Sequence, residues 1–363
     1  MPTGDELIIR DAVPRTVSEL DTPCALVDLN AVDRNIAAMQ GYCDEHGIAL
    51  RPHVKTHKTA ALARRQLDAG AAGLACQTVA EIEAMAAGGF TNLLLCVPAL
   101  DAKASRLARL AGEISLSVAV DSSEALMALA DALEGGCGEI GILVECDTGG
   151  RRAGVQDPGQ AAELAELAAA LPGVRFLGLM THPTPSGAAA WLSRARASIK
   201  ALGIEVETVS VGGTGAAGRT HELGIATELR AGTYLFGDRS CIADGSVSRE
   251  NCALRIGSQV RSRPTCTRAI LDAGSKSLSS DPAIGEGVEG FGVLDEYPDA
   301  ELELLSEEHG HLQLPEASED PEIGERVSIL PNHACAAVNL HNRLVVHRNG
   351  AVIGELPVLA RRD

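Results

Sequence analysis

Between Asp21 and about Asp238, short β-forming runs alternate with Ala-, Leu-, Glu- and Arg-rich stretches of helical period, and this alternation restricts the fold more than any other feature. The runs are Ala25–Leu29, Ala49–Lys55, Gly73–Thr78, Asn92–Val97, Ser115–Asp121, Ile140–Asp147, Arg175–His182 and Glu207–Gly213. Stretches between them, such as Val79–Ala87 and Asp157–Leu171, read as amphipathic helices, and Gly47, Gly70, Gly88 and Gly203 fall where helices stop. Strands joined through helices pair in parallel, because each crossover carries the chain back to the same end of the sheet. Eight such strands predict a (β/α)8-type barrel, with an open doubly wound sheet as the competing architecture.

After about Asp238 the helical period fades. Short β-like runs follow at Ala253–Ser262, Arg268–Asp272, Leu302–Ser306, Arg326–Ile329, Ala336–Leu340, Arg343–His347 and Ala351–Ile353, separated by polar turns. They predict a smaller, mainly antiparallel β-domain, to which Leu7–Arg10 could add a strand. The division expected is a barrel over 21–240 and a β-domain over 1–20 and 241–363.

Aromatic residues make up only 2% of the 363, so the core must be aliphatic. The net charge of −18 excludes a nucleic-acid footprint and argues against an anionic membrane surface. Ten cysteines are scattered without a CxxC pair, and Cys24, Cys76, Cys96 and Cys146 lie in apolar runs, as reduced core cysteines do. No apolar run is long enough to span a membrane, and the first residues lack the features of a signal peptide. A cytoplasmic protein acting on a small molecule is the expectation.

Residues able to act on a ligand recur at the C-terminal ends of the expected barrel strands, the face that builds active sites in this architecture. Lys55 ends the second run, flanked by His53, His57 and Lys58; alternation along a strand would turn His53 and Lys55 to one face. A lysine confined near other cations becomes a usable amine nucleophile. Gln77 ends the third run. Arg152, in Asp147-Thr148-Gly149-Gly150-Arg151-Arg152, could hold a carboxylate or phenolate. His182 could stack on a flat ring, although a lone histidine is more often a satisfied core residue. Gly212-Gly213-Thr214-Gly215 could converge backbone N–H groups on a phosphate. In Pro331-Asn332-His333-Ala334-Cys335, strand alternation would let His333 and Cys335 ligate one metal, best Zn²⁺. A buried cysteine beside a hydrogen-bonded histidine is the commoner origin of so short a pair.

The segment Arg51-Pro52-His53-Val54-Lys55-Thr56-His57-Lys58 resembles the cofactor-lysine motif of the D-threonine aldolase and D-serine dehydratase family. Asp21-Thr22-Pro23, Cys76-Gln77 with Glu81, Asp147–Gly154, Gly212–Gly215, Thr227–Tyr234, Asp272–Lys276 and His333-Ala334-Cys335 extend the likeness over most of the chain. The resemblance implies an alanine-racemase-like barrel with a C-terminal β-domain, a homodimer, and pyridoxal 5'-phosphate on Lys55. It implies that Gly213, Thr214 and Gly215, with Tyr234, hold the phosphate, that Gln77 and Arg152 contact the cofactor, and that His182 lies against its ring. His333 and Cys335 would hold a divalent metal, zinc before manganese or magnesium, and His53 and His57 are candidate bases. The implied activity is a lyase acting on β-hydroxy-D-amino acids. Cysteine stands where the family's aldolases carry aspartate, which favours dehydration over aldol cleavage. The Met180-Thr181-His182-Pro183 stretch is closer to the racemase pattern. An amino-acid racemase and a non-catalytic pyridoxal-phosphate homeostasis protein are the rival readings.

Overall fold

The computed structural model describes residues 16–282, 285 and 288–362; the strand expected at Leu7–Arg10 lies outside them. The chain divides into two compact units, one of residues 16–38, 56–61 and 233–361, the other of 39–55 and 62–232.

Strand β1 (Cys24–Asp28) belongs to the first unit. In the second unit follow β2 (Ala49–Leu50), β3 (Leu74–Cys76), β4 (Asn92–Leu95), β5 (Ser115–Val120), β6 (Ile140–Glu145), β7 (Val174–Thr181), β8 (Thr208–Gly212) and β9 (Glu228–Arg230). These eight form one parallel sheet in the order β2-β9-β8-β7-β6-β5-β4-β3. Its two ends meet. His53, just past β2, bridges Ala75 of β3 in parallel, and the Ala72 and Ala75 N–H groups donate to the Leu50 and Pro52 carbonyls, both at 2.8 Å. The sheet is therefore a closed barrel, not an open doubly wound sheet.

Local chemistry sets the helices between the strands. Thr78 caps Val79–Ala87 by accepting the Glu81 N–H. Ser122 caps Ser123–Leu133. Asp157 accepts from Gly159 and Gln160, with Pro158 opening the helix that runs to Ala170. Every residue of β6 is buried, as a parallel strand covered on both faces requires. Ala75, Leu94, Cys96, Ala119, Leu143 and Met180 form one aliphatic cluster of small and branched side chains; a fully buried leucine or methionine contributes about 1.5–3 kcal/mol.

The barrel differs from the sequence reading at its ends. Ala25–Leu29 was expected as its first strand, but β1 pairs antiparallel with residues 254–257 and parallel with 345–347. An apolar run does not state which sheet it joins. The barrel place is taken by β9, Glu228-Leu229-Arg230, which is not among the eight expected strands and whose two charged residues find buried partners. The expected strand Ala49–Lys55 keeps strand form only at Ala49–Leu50, and Val54–Thr56 is a 3-10 turn, so the alternation argument does not apply to His53 and Lys55.

The first unit continues with β10 (Leu254–Thr265), β11 (Arg268–Leu271), β12 (Gly292–Leu294), β13 (Glu301–Leu305), β14 (Gly310–Gln313), β15 (Arg326–Pro331), β16 (Arg343–Arg348) and β17 (Ala351–Pro357). With β1 they make a nine-stranded sheet, antiparallel except for the β1–β16 pair. The expected strand Ala336–Leu340 is instead an α-helix, Ala334–Leu340. Its Ala-rich sequence favours helix, and the buried Asp238 carboxylate accepts the Ala334 N–H at 3.0 Å at its first turn. All ten cysteines are free thiols. Among the described residues no helix is long and apolar enough to cross a membrane.

One backbone detail gives a test. In the β6–β7 pairing, Ile142 faces Phe176 while Leu143 faces Gly178, so Leu177 is an extra, bulged residue. A Cβ on Gly178 would lie 1.9 Å from the Thr208 carbonyl oxygen. Gly178→Ala should destabilise the protein by about 1–3 kcal/mol or more, read as a lower urea midpoint of the apoprotein.

Candidate active site

The barrel unit carries a cluster of basic side chains at the C-terminal ends of its strands. Lys55 sits in the 3-10 turn after β2, and its backbone N–H points to His53 Nδ1 at 3.4 Å. His53 is buried. Burial, reinforced by the charges of Lys55, Arg230 and His182, holds its imidazole well below the usual histidine range, against a raising contact from the Gln77 side chain. His182 follows β7. Its pKa falls to about 4, first through burial and then through Lys55, Arg230 and Arg152. Both imidazoles are therefore neutral at neutral pH.

Gln77 is fixed by its backbone N–H, which donates to Glu81 Oε2 at 2.6 Å. Arg152 lies on the loop after β6, shaped by Asp147 Oδ1, which accepts from Gly149 and Arg151, both at 3.0 Å. Its guanidinium stands 3.6 Å from Glu145 Oε1. Burial pushes the Glu145 carboxyl up, while Arg230 and Arg152 pull it down.

The sequence reading gave no role to Arg230. At the end of β9 this side chain is buried, donating to Ser210 Oγ at 2.5 Å and to the Thr181 carbonyl at 3.0 Å. Ser210 donates to Glu228 Oε1 at 2.5 Å, and Glu228 Oε2 pairs with Arg51 Nε at 2.7 Å. The available signal was an alternation of glutamate and arginine beside apolar Leu229 and Ala231, where solvent-facing charges were the simpler expectation.

After β8 the chain turns at Gly213 with φ +113° and enters the ten-residue 3-10 helix Thr214–Leu223, which no N-cap side chain closes. A Cβ at Gly212 would come within 3.1 Å of both the Arg230 guanidinium and the His182 ring. The Gly212 N–H donates to Thr184 Oγ1 at 3.1 Å and the Gly213 N–H to the Arg230 carbonyl at 3.0 Å, so glycine here lets the chain pass close to the Arg230 and His182 side chains at the start of the helix.

The remaining sequence candidates lie in the other unit. Tyr234 is buried in the turn Thr233–Leu235. His57 is fully buried, its Nδ1 accepting the Thr59 N–H at 3.1 Å. His333 stands at the N-cap of Ala334–Leu340 in extended backbone, and Cys335 is the helix's second residue. The two side chains meet, although not through the strand alternation expected. Burial alone raises the Cys335 thiol, but hydrogen bonding and charge from His333, with Thr56 and Thr233, more than offset it and leave the thiol lowered. His333 correspondingly rises to about 9, chiefly through Cys335 and partly through Asp281. The Cys335 Sγ lies 3.2 Å from Thr56 Oγ1 and 3.6 Å from Thr233 Oγ1. A histidine paired with a thiolate is a donor set for a borderline-soft divalent metal. Among the described residues no third His, Cys, Asp or Glu completes such a cluster.

Residues 27–240 match the family model described as alanine racemase, N-terminal domain, and residues 253–347 match a serine dehydratase domain. A D-threonine aldolase of Arthrobacter sp. is 35% identical over 93% of this chain and 91% of that protein. The solved D-threonine aldolase of Filomicrobium marinum superposes with TM-score 0.87 at 32% identity, covering 96% and 98% of the two chains. The solved D-threo-3-hydroxyaspartate dehydratase of Delftia sp. HT23 gives TM-score 0.81 at 30% identity over 95% and 99%. A cysteine-to-alanine variant of a D-threo-3-hydroxyaspartate dehydratase, in the metal-free form, gives the same values. The barrel and its basic strand ends define an alanine-racemase-like enzyme. Within that class the chain belongs to the D-threonine aldolase and D-serine dehydratase family and is a lyase.

The depressed His182 pKa has a consequence for the apoprotein. The unfolded histidine, near 6.5, takes up a proton before the folded one does at about 4. Stability is thus full above pH 6.5 and falls as pH drops through this window, by about 2 kcal/mol at pH 5 from His182. Urea titrations at pH 7 and pH 5 should show a loss larger than this, since His53 is depressed as well, and His182→Asn should remove about 2 kcal/mol of it.

Proposed function

We propose that the chain is a pyridoxal-phosphate- and divalent-metal-dependent lyase for β-hydroxy-D-amino acids, and that it acts mainly by eliminating the β-hydroxyl. The observation that carries the reading is Lys55 beside two neutral histidines and a buried arginine at the C-terminal ends of the barrel strands. The glycine turn and uncapped helix after β8 fit the cofactor's phosphate, and Lys55 its aldehyde.

In this reading Lys55 carries the cofactor, Gly213, Thr214 and Gly215 hold its phosphate with Tyr234, and Gln77 and Arg152 contact it. His182 lies against its ring, and His333 and Cys335 hold the metal. When bound, the cofactor supplies an electron sink for the bond broken at Cα, and the metal a Lewis acid for the β-oxygen. The chain's own part is proton handling and orientation. Lys55 Nζ exchanges the Cα proton. His53, kept neutral by burial and neighbouring cations, can accept a proton on its ring. His57, whose Nδ1 is occupied by Thr59, is the weaker candidate for that role. Arg152 offers a fork of donors to a carboxylate.

Elimination is favoured over aldol cleavage by cysteine at position 335, where the family resemblance puts aspartate in the aldolases. Aldol cleavage is the second reading, favoured by the 35% identity to a D-threonine aldolase.

Product analysis tests the choice. With pyridoxal phosphate and Zn²⁺, D-serine should yield pyruvate and ammonia, and a chelator should stop the reaction. Glycine and acetaldehyde as the main products from D-threonine would make the enzyme an aldolase. L-isomer formed regardless of metal would leave a racemase and remove the metal from the mechanism. Lys55→Ala should lose borohydride-fixable cofactor and on the order of 10³-fold or more of the activity.

A further inference from the structure

We propose that Asp281 is a positioning residue for the metal pair, its carboxylate holding the Nδ1 edge of the His333 ring so that Nε2 is the nitrogen presented to the metal beside Cys335. The inference rests on the metal reading above. It concerns a residue outside the His333-Ala334-Cys335 motif.

Asp281 Oδ2 lies 2.5 Å from His333 Nδ1. Held against the carboxylate, Nδ1 carries a hydrogen and donates it, so Nε2, which gives up its own proton on binding, is the nitrogen left for a metal. A metal-binding imidazole needs that arrangement: one nitrogen donates to an anchor, and the other is left as the ligand. Taken alone, a half-exposed pair such as this one, each side chain 43% exposed, contributes little to stability. Its surroundings distinguish it from a casual surface contact, because the chain on both sides of His333 is fixed independently.

Asn332, immediately before His333, is buried. Its Nδ2 donates to the Asp281 carbonyl at 3.1 Å and the Gly290 carbonyl at 2.9 Å, and its Oδ1 accepts from Arg239 at 2.9 Å. Asn332 thereby ties the Asp281 backbone to the histidine it serves. Ala334, immediately after, donates its N–H to Asp238 Oδ2 at 3.0 Å, while Asp238 Oδ1 accepts the Cys241 N–H at 2.9 Å. The main chain is pinned before and after His333, and Asp281 fixes the remaining freedom, the rotation of the ring. Thr56 and Thr233 hold Cys335 from the other side.

The test is metal binding, not turnover. Zn²⁺ affinity is measured by competition with a chromophoric chelator on the cofactor-loaded protein, and Co²⁺ is used as an absorbing probe of the ligand geometry. Asp281→Asn and Asp281→Ala should weaken Zn²⁺ binding about 10–100-fold and alter the Co²⁺ spectrum. Borohydride-fixable cofactor and the thermal midpoint of the metal-free protein should stay at wild-type values. Asp281→Glu should recover part of the affinity. If Asp281→Ala binds Zn²⁺ like wild type with an unchanged Co²⁺ spectrum, while His333→Ala loses the metal, the positioning role is overturned and the metal reading stands. If wild type and His333→Ala bind Zn²⁺ equally weakly, the metal reading fails and this inference fails with it.

Discussion

A guanidinium buried at the end of a barrel strand is costly unless every donor finds a partner, because several kcal/mol of hydration are lost per ion. Arg230 donates to a hydroxyl and a carbonyl of two nearby strands, and the hydroxyl passes the contact on to Glu228 and Arg51. Ser210 comes from β8, the Thr181 carbonyl from β7, Glu228 from β9 itself, and Arg51 from just past β2. The relay spans four adjacent strands of the closed sheet and holds their C-terminal ends in register. It also leaves a fixed positive charge where Lys55, His53 and His182 sit, which helps to keep both imidazoles neutral. A lysine at position 230 would lack the fork that reaches a hydroxyl and a carbonyl together. One buried arginine thus ties adjacent strand ends together and adds to the burial that keeps the neighbouring imidazoles neutral.

The other unit fixes His333 and Cys335 by a different device. Here a single buried carboxylate, Asp238, accepts backbone N–H groups at the first turns of two short helices, Arg239–Ala243 and Ala334–Leu340. A helix start leaves N–H groups without internal partners, and an acidic side chain satisfies them while its charge suits the positive end of the helix. The arrangement sets the direction in which Ala334–Leu340 begins, and so sets where the side chains of His333 and Cys335 leave the main chain.

The barrel was legible because its signal is long-range and periodic: seven of the eight runs read as its strands lie in the closed sheet. Its missing member was hidden for a physical reason. Glu228 and Arg230 are charged, and charge in a short segment reads as solvent exposure unless the buried partner is known. Cys24–Asp28 was misplaced because an apolar pentapeptide satisfies either sheet, and hydrogen bonds to residues more than two hundred positions away decide between them. The pair His333 and Cys335 was found for the wrong local reason. Strand alternation was expected to bring the side chains together. An N-cap followed by a helical turn does so instead, under the influence of Asp238, a residue nearly a hundred positions earlier. Asp281 carried no sequence signal toward His333, since nothing in an isolated aspartate reports which imidazole it will meet.

Overall likeness does not separate the two reactions known among the relatives. A solved aldolase superposes at TM-score 0.87 with 32% identity, and a solved dehydratase at 0.81 with 30%. One barrel therefore supports both outcomes. In the proposed reading the part common to them, holding an aromatic aldehyde cofactor and handling a proton beside it, falls to residues around Lys55 that need not differ. What must differ is how the β-oxygen is treated: in elimination it leaves with its electrons, and in cleavage it keeps them and loses a proton. That choice belongs to the groups acting on the β-oxygen, and in the proposed reading those are the metal and the side chains that hold it. A cysteine sulfur steadied by His333 and two hydroxyls differs in kind from a carboxylate, in softness and in the charge it passes to a metal. In the proposed reading the choice is therefore made by a handful of positions around Cys335, on a barrel that both reactions share.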